Sequence, residues 1–153
     1  MIRRVVANHD GSTTSLLESL TNDVVRVKVL EHRAIRCGKN ADALQCSADA
    51  CAVRRQVELS ARERIVLRAT AVLVPSRLPH SLMEQLGHTT LAFGALLRCH
   101  RVETYRERED YSVDLVKHTL TRTYRIFHRE HPVARVREQF LLTNLEGACA
   151  AAD

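Results

Sequence analysis

Two oppositely charged residues, Arg55 and Glu138, stand where the pattern of the chain predicts inward-facing side chains. Arg55 falls on the apolar side of an alternating segment, and its neighbour Arg54 falls on the other side. Glu138 lies in the same way between Val136 and Phe140. Since side chains two positions apart share one face of a strand, both charges are predicted to point into the interior.

A charge buried without a partner costs several kcal/mol, so each of these groups needs one. One interpretation is a buried salt bridge between Arg55 and Glu138, or a bulge that turns one of them out to water. The other is a pocket in which the guanidinium binds a ligand carboxylate and Glu138 meets the far end of the same ligand. No P-loop, Ser-His-Asp order, H-E-x-x-H or G-x-G-x-x-G segment offers a competing site.

The chain has 5 cysteines, an odd number without a C-x-x-C pair, which argues against a disulfide framework and a zinc ribbon. Cys37, Cys46 and Cys51 cluster downstream of His32, but their spacing matches no structural zinc pattern. We therefore expect reduced cysteines and no metal site.

Composition narrows the class of protein. A chain of 153 residues with 45% hydrophobic and 27% charged residues predicts one folded domain over 1–153. No apolar run is long enough to span a bilayer, and the N-terminus has no signal-peptide core, so we expect a cytoplasmic protein without a membrane partner. A net charge of +5 suits an acidic small-molecule substrate; nucleic acid is disfavoured because aromatic residues make up only 4% and no basic run occurs.

The periodicity predicts the elements that position these residues. A short amphipathic helix follows Gly11, a strand covers 25–29, and 53–74 forms a hairpin. A short helix is predicted over 80–86 and a turn or helix over 89–97. Three further strands are predicted over 101–106, 119–128 and 133–142, and a frayed tail over 143–153. This order indicates an α+β fold with a six-stranded antiparallel sheet.

Several segments, taken in order, resemble the chorismate pyruvate-lyase family, and more closely its actinobacterial branch. They are GSTTSLLESL, VRVKVLEHRAI, VRRQVEL, AVLVPSRLP, LGHTTLAFGALL with VETYRE, and TYRIFHREHPVARVREQFLL. The resemblance covers most of 11–142.

The resemblance implies a six-stranded antiparallel sheet whose short helices form flaps over an internal pocket. It implies that the protein is a lyase that eliminates pyruvate from chorismate to give 4-hydroxybenzoate, with no cofactor. Arg55 matches the family's carboxylate-binding arginine and Glu138 its active-site glutamate. Thr13 in the first flap and Phe93 in the second match positions where a backbone N–H meets the ligand carboxylate.

Two departures from the family pattern leave alternatives open. Ala92, Phe93 and Gly94 replace Pro-Leu-Gly in the second flap, and Thr13 replaces an apolar residue in the first. A related enzyme of secondary metabolism acting on another small carboxylic acid or enol would account for these changes. The same fold also serves as the effector domain of some transcription regulators, so a non-catalytic ligand-binding domain is the third interpretation; no DNA-binding segment is expected beside it.

Overall fold

The computed structural model describes residues 1–9 and 11–152. Its centre is one six-stranded antiparallel sheet with strand order β1-β2-β3-β6-β5-β4. The strands are β1 (Arg26–Arg36), β2 (Cys51–Ala61), β3 (Arg64–Leu73), β4 (Tyr105–Asp114), β5 (Thr119–His128) and β6 (His131–Leu141). The helices are α1 (Ile2–Asn8), α2 (Thr13–Thr21), α3 (Ala41–Leu44), α4 (His80–Gly87), α5 (Phe93–Cys99) and α6 (Leu142–Ala150). The α+β class and the six-stranded antiparallel sheet are confirmed.

Two tight hairpins form the middle of the sheet and set its register. Arg62 and Glu63 join β2 to β3 with φ of 49° and 59°, and Arg129 and Glu130 join β5 to β6 with φ of 49° and 67°. Two consecutive left-handed residues form the turn that matches the right-handed twist of a strand pair. These turns fix which residues stand side by side across the sheet.

Helices α1, α2, α4, α5 and α6 pack on one face of the sheet in two groups. At one end α1, α2 and α6 bury Val6, Leu17 and Leu145 against strand residues that include Leu67 and Phe140. At the other end α4 and α5 bury apolar side chains, among them Leu82, Leu86, Leu96 and Leu97, against Leu73, Ile126 and Ala134. The floor between the two groups carries the polar site described below.

The far side of β2 and β3 is covered by the segment that follows β1. Cys37 and Leu44 pack there on Ala52, Val72 and Val74. The cysteine-bearing segment therefore closes a small separate core.

The C-terminal prediction is wrong. Residues 142–150 form α6 rather than a frayed tail, and Leu142, Leu145 and Ala148 on it are fully buried. Their spacing of three residues places them on one helix face against the sheet, which anchors the chain end. Asp153 lies outside the described residues.

The strand predicted over 101–106 is misplaced: β4 runs over Tyr105–Asp114. It is an edge strand whose residues are mostly exposed and charged, so it lacks the alternation that marks a half-buried strand. Among the described helices, none is long and apolar enough to cross a membrane.

Candidate functional site

A cavity of about 90 Å³ lies between the two groups of helices, on the helix-covered face of the sheet. Every strand except β1 contributes to its wall, together with the first residues of α2 and α5. Its lining residues are Ser12, Thr13, Thr14, Arg55, Val57, Leu59, Leu67, Ala69, Ala71, Ala92, Phe93, Gly94, Arg106, Tyr124, Ile126, Val136 and Glu138. All four residues that the sequence singled out, Thr13, Arg55, Phe93 and Glu138, line this one cavity.

The strand register explains why there is room for a ligand. Arg55 stands beside Ala71 of β3, and Glu138 stands beside Ala69 of the same strand. Arg55 and Glu138 are therefore separated laterally by two strand spacings, roughly 10 Å, and are offset along the sheet by about two residues. The two alanines between them leave a low apolar floor.

Glu138 is 4% exposed and is held by three side chains. Its Oε1 accepts hydrogen bonds from the Thr13 hydroxyl at 2.8 Å and the Tyr124 hydroxyl at 2.9 Å. Its Oε2 accepts from Arg122 Nε at 2.6 Å. Because a carboxylate offers about four acceptor positions, Oε2 retains capacity for one more donor.

Arg122 is a member of the site that the sequence analysis did not identify. It stands directly opposite Glu138 across the β5–β6 pair and is 4% exposed. Besides Glu138 it donates to the backbone oxygens of Val6 at 2.8 Å and His9 at 2.5 Å, and to Thr13 Oγ1 at 3.0 Å. Arg122 thus neutralises Glu138 and ties the first flap, the chain around Thr13, to the sheet.

The Tyr124 hydroxyl remains a neutral donor to Glu138. Burial of the ring and the negative charge of Glu138 both raise the pKa of Tyr124 well above its usual value of 10.0. Tyr124 was also missed, although it shares the inward face of β5 with Arg122.

Arg55 is 3% exposed and makes no ion pair with a carboxylate in the described part of the chain. Nη1 donates to the Leu86 oxygen at 3.0 Å and Nη2 to the oxygens of Thr89 and Leu91 at 3.1 and 3.3 Å. Burial lowers the pKa of the Arg55 guanidinium below its usual value. Its Nε–H has no acceptor among residues 1–9 and 11–152, so it is free to meet a ligand.

The ring of His32 lies across the strand pair from Arg55, with Nδ1 3.3 Å from Nη1. Burial, followed by the charge of Arg55, lowers the pKa of His32 below 6.5. A neutral imidazole can accept a hydrogen bond from Arg55, whereas an imidazolium cannot. His32 therefore acts as a fourth support of the guanidinium.

The interpretation in which Arg55 and Glu138 form a buried salt bridge is wrong. The carboxylate pairs with Arg122 instead. No bulge turns either residue outward, since Arg55 and Glu138 are both buried. The ligand-binding roles of the two residues stay a prediction.

The flap residues occupy the cavity wall in different ways. Thr13 begins α2 after the N-cap Ser12, so its backbone N–H is one of the unpaired amides of a helix start. Its hydroxyl also bridges Arg122 and Glu138, a task that the resemblance did not assign to a side chain. Phe93 begins α5 and packs against the apolar group at the second end of the sheet.

The clustered cysteines lie away from this cavity. Cys37 Sγ is 2.8 Å from Cys46 Sγ, and burial together with that neighbour raises the pKa of Cys37 to about 11. Such a thiol is protonated at neutral pH and is a poor nucleophile. Within the residues that the structure describes, no group of three or more His, Cys, Asp or Glu side chains is placed to hold a metal ion.

Solved structures with a similar fold include domains of bacterial regulators. The chain is similar to PhnF from Mycobacterium smegmatis, with a TM-score of 0.69 and 13% identity over 90% of this chain and 66% of that chain. The effector domain of the same protein gives a TM-score of 0.65 and 13% identity over 85% and 88% of the two chains. The C-terminal domain of the histidine utilization repressor from Pseudomonas syringae pv. tomato gives a TM-score of 0.63 and 14% identity over 78% of this chain and 93% of that chain. At these identities the likeness shows the fold alone.

Sequence comparison is more specific. No curated protein matches the chain. The profile of one family, described as chorismate pyruvate-lyase Rv2949c-like, matches residues 8–148, which include the whole sheet, both flaps and every lining residue of the cavity. The chain belongs to the Rv2949c-like family of chorismate pyruvate-lyases.

Proposed function

We propose that this protein is a chorismate pyruvate-lyase that releases pyruvate and 4-hydroxybenzoate. The observation that supports this most strongly is the placement of Arg55 and Glu138 on one cavity, on either side of a low alanine floor. An aromatic acid with a para hydroxyl has polar ends separated by one ring and would meet both residues.

In this proposal Arg55 binds the ring carboxylate through its free Nε–H. The carbonyls of Leu86, Thr89 and Leu91 hold the guanidinium in place before the ligand arrives. The backbone N–H groups of Thr13 and Phe93, at the starts of the two flap helices, complete the anchor. Preorganised donors lose little freedom on binding, so the ring is fixed in one orientation.

Glu138 accepts a hydrogen bond from the ring hydroxyl through the remaining capacity of Oε2. Arg122 lies at 2.6 Å from that oxygen, and all three partners donate to the carboxylate, so Glu138 acts as an acceptor that orients the ring rather than as a general acid. Tyr124 and Thr13 fix the direction in which the carboxylate points.

The reaction breaks the bond between the ring carbon and the ether oxygen of the enolpyruvyl group. The neighbouring carbon, which bears the hydroxyl, loses its hydrogen, and the enolpyruvyl methylene gains one and becomes the methyl group of pyruvate. The ring becomes aromatic, which drives the step. The residues of this chain hold the conformer that eliminates and exclude water from it.

Incubation of the protein with chorismate, with both products quantified, tests the proposal. We expect pyruvate and 4-hydroxybenzoate in equal amounts, well above the spontaneous rate measured with heat-denatured protein. Formation of pyruvate at the spontaneous rate would contradict the proposal.

Two other functions are supported by particular observations. The bulky Phe93 at the cavity wall favours an enzyme of secondary metabolism that acts on another small carboxylic acid or enol. The likeness to an effector domain and a repressor domain favours ligand binding without catalysis. Tight binding of 4-hydroxybenzoate without turnover of chorismate would favour binding alone, whereas neither binding nor turnover would favour a different acid.

A further inference from the structure

Arg106 is a cationic side chain on the cavity wall that has no hydrogen-bond or ion-pair partner among residues 1–9 and 11–152. It stands beside Ile126 across the β4–β5 pair, and its residue is only partly exposed. Its Nη1 is buried and makes no hydrogen bond with the described residues. Its guanidinium lies over the face of the Tyr124 ring in a cation–π contact, with 4.9 Å between the guanidinium carbon and the ring centroid.

Arg55, on the cavity wall, and Arg122, behind Glu138, differ from Arg106 in this respect. Arg122 donates to a carboxylate, a hydroxyl and two carbonyl oxygens, and Arg55 donates to three carbonyl oxygens and an imidazole nitrogen. A ring face attracts a cation but does not replace an acceptor in the plane of the guanidinium. Arg106 therefore lacks an acceptor that a ligand could supply.

Charge balance specifies the kind of ligand. Glu138 and Arg122 cancel each other, which leaves the positive charges of Arg55 and Arg106 without a carboxylate partner in the described residues. A site with two unpaired guanidinium groups is complementary to a ligand with two carboxylates.

The position of Arg106 shows which end of the ligand it meets. Arg106 lies over the Tyr124 ring, and the Tyr124 hydroxyl is 2.9 Å from Glu138. Arg106 is thus near the Glu138 end of the cavity, and β3, β6 and β5 lie between its strand and that of Arg55. In chorismate the ether carbon is next to the carbon that bears the hydroxyl, so the carboxylate of the leaving group is attached close to that end.

We propose that Arg106 binds the second carboxylate of a dianionic substrate, that of the departing three-carbon group. This rests on the proposed lyase function. Arg106 also borders a surface depression between the flaps, which Ser12, Gly94 and Arg98 line as well, so the three-carbon product has an exit beside the side chain that bound it.

The test compares chorismate, with two carboxylates, and 4-hydroxybenzoate, with one. For Arg106→Met we expect about a 10- to 100-fold weaker affinity for chorismate, the range for loss of a charge-assisted hydrogen bond, and less than about a threefold change for 4-hydroxybenzoate. Arg106→Lys should recover part of the affinity. Arg137→Met is the control, because Arg137 is an exposed arginine on the opposite face of the sheet and does not line the cavity.

Affinities come from KM and a competitive inhibition constant if the wild type turns chorismate over, and from calorimetry if it does not. If the wild type does not turn chorismate over and Arg106→Met still binds chorismate more weakly than the wild type, the lyase function is overturned and the dianion site is kept. Equal losses of affinity for chorismate and 4-hydroxybenzoate in Arg106→Met, or no loss of affinity for chorismate, would overturn the role of Arg106. Urea unfolding separates a loss of ligand affinity in Arg106→Met from a folding defect. Because the substitution removes a cation whose buried Nη1 makes no hydrogen bond with the described residues, the unfolding midpoint should be unchanged or higher.

Discussion

At the scale of single residues, the site depends on which charges have protein partners and which do not. Glu138 and Arg122 satisfy each other inside the protein, with Thr13 and Tyr124 completing the set. Arg55 has carbonyl partners but no carboxylate. The ion pair that stabilises the fold and the arginine proposed to bind the ligand are therefore different residues. Single substitutions should change either stability or ligand affinity.

Arg122→Met should destabilise the protein by about 3–5 kcal/mol, because it leaves the Glu138 carboxylate buried without its cation. Urea unfolding monitored by circular dichroism measures the loss. The control is Arg68→Met, which breaks an ion pair whose arginine side chain is 55% exposed and should cost less than about 1 kcal/mol. The double variant with Glu138→Met should be less destabilised than Arg122→Met alone. A loss in Arg122→Met no greater than in the control would contradict the pairing.

Tyr124 should ionise far above the usual tyrosine pKa of 10.0, because its ring is 6% exposed and lies beside Glu138. An ultraviolet titration should show the Tyr124 tyrosinate forming in a late step, only when the protein unfolds. Tyr124→Phe should remove that late step. A titration of the wild type without any late step would show that the ring is not held as described.

At the scale of elements, neighbouring strands place groups beside one another, and β1 places His32 beside Arg55. The pKa of His32 is lowered in the folded protein, so the unfolded chain binds more protons as pH falls below 6.5. The stability that this group contributes is complete above pH 6.5 and is lost as the pH falls toward its lowered pKa. His32→Gln should therefore lose less stability than the wild type between about pH 7.5 and pH 5.5.

Unfolding curves at both pH values measure this difference. His131→Gln is the control because His131 is exposed on β6. An identical acid-dependent loss in the wild type and in His32→Gln would contradict the assignment.

Sequence periodicity predicted the strands with one buried face and the inward charges on two of them, because alternation is a local property. The same alternation holds for Arg122 between Leu120 and Tyr124, but it does not say that β5 pairs with β6 in the register that places Arg122 opposite Glu138. Arg106 was missed because the edge strand β4 is mostly charged and lacks the alternating apolar residues that would indicate its inward face.

Helix α6 was missed for a related reason. Its segment is rich in small residues and lacks charged caps, so the sequence alone does not predict a helix there. The burial of Leu145 and Ala148 against the sheet and α2 stabilises it. Tertiary packing here decides an element that local propensity does not.

At the scale of the whole molecule, one sheet face carries two apolar groups with the cavity between them, and two flap helices begin at its rim. The fold is similar to that of the PhnF effector domain, so the fold alone does not specify catalysis. The function of this chain therefore depends on the side chains in the cavity. We propose that an aromatic acid lies between Arg55 and Glu138.

Calorimetric titration of 4-hydroxybenzoate into Arg55→Ala and Arg54→Ala tests that claim most directly. The two arginines are adjacent on β2 and alternate to opposite faces, and Arg55 lines the cavity whereas Arg54 does not. We expect Arg55→Ala to bind the acid about 10- to 100-fold more weakly than the wild type, the loss of a charge-assisted hydrogen bond, and Arg54→Ala to bind it as the wild type does. Equal affinities of the two variants would contradict the account.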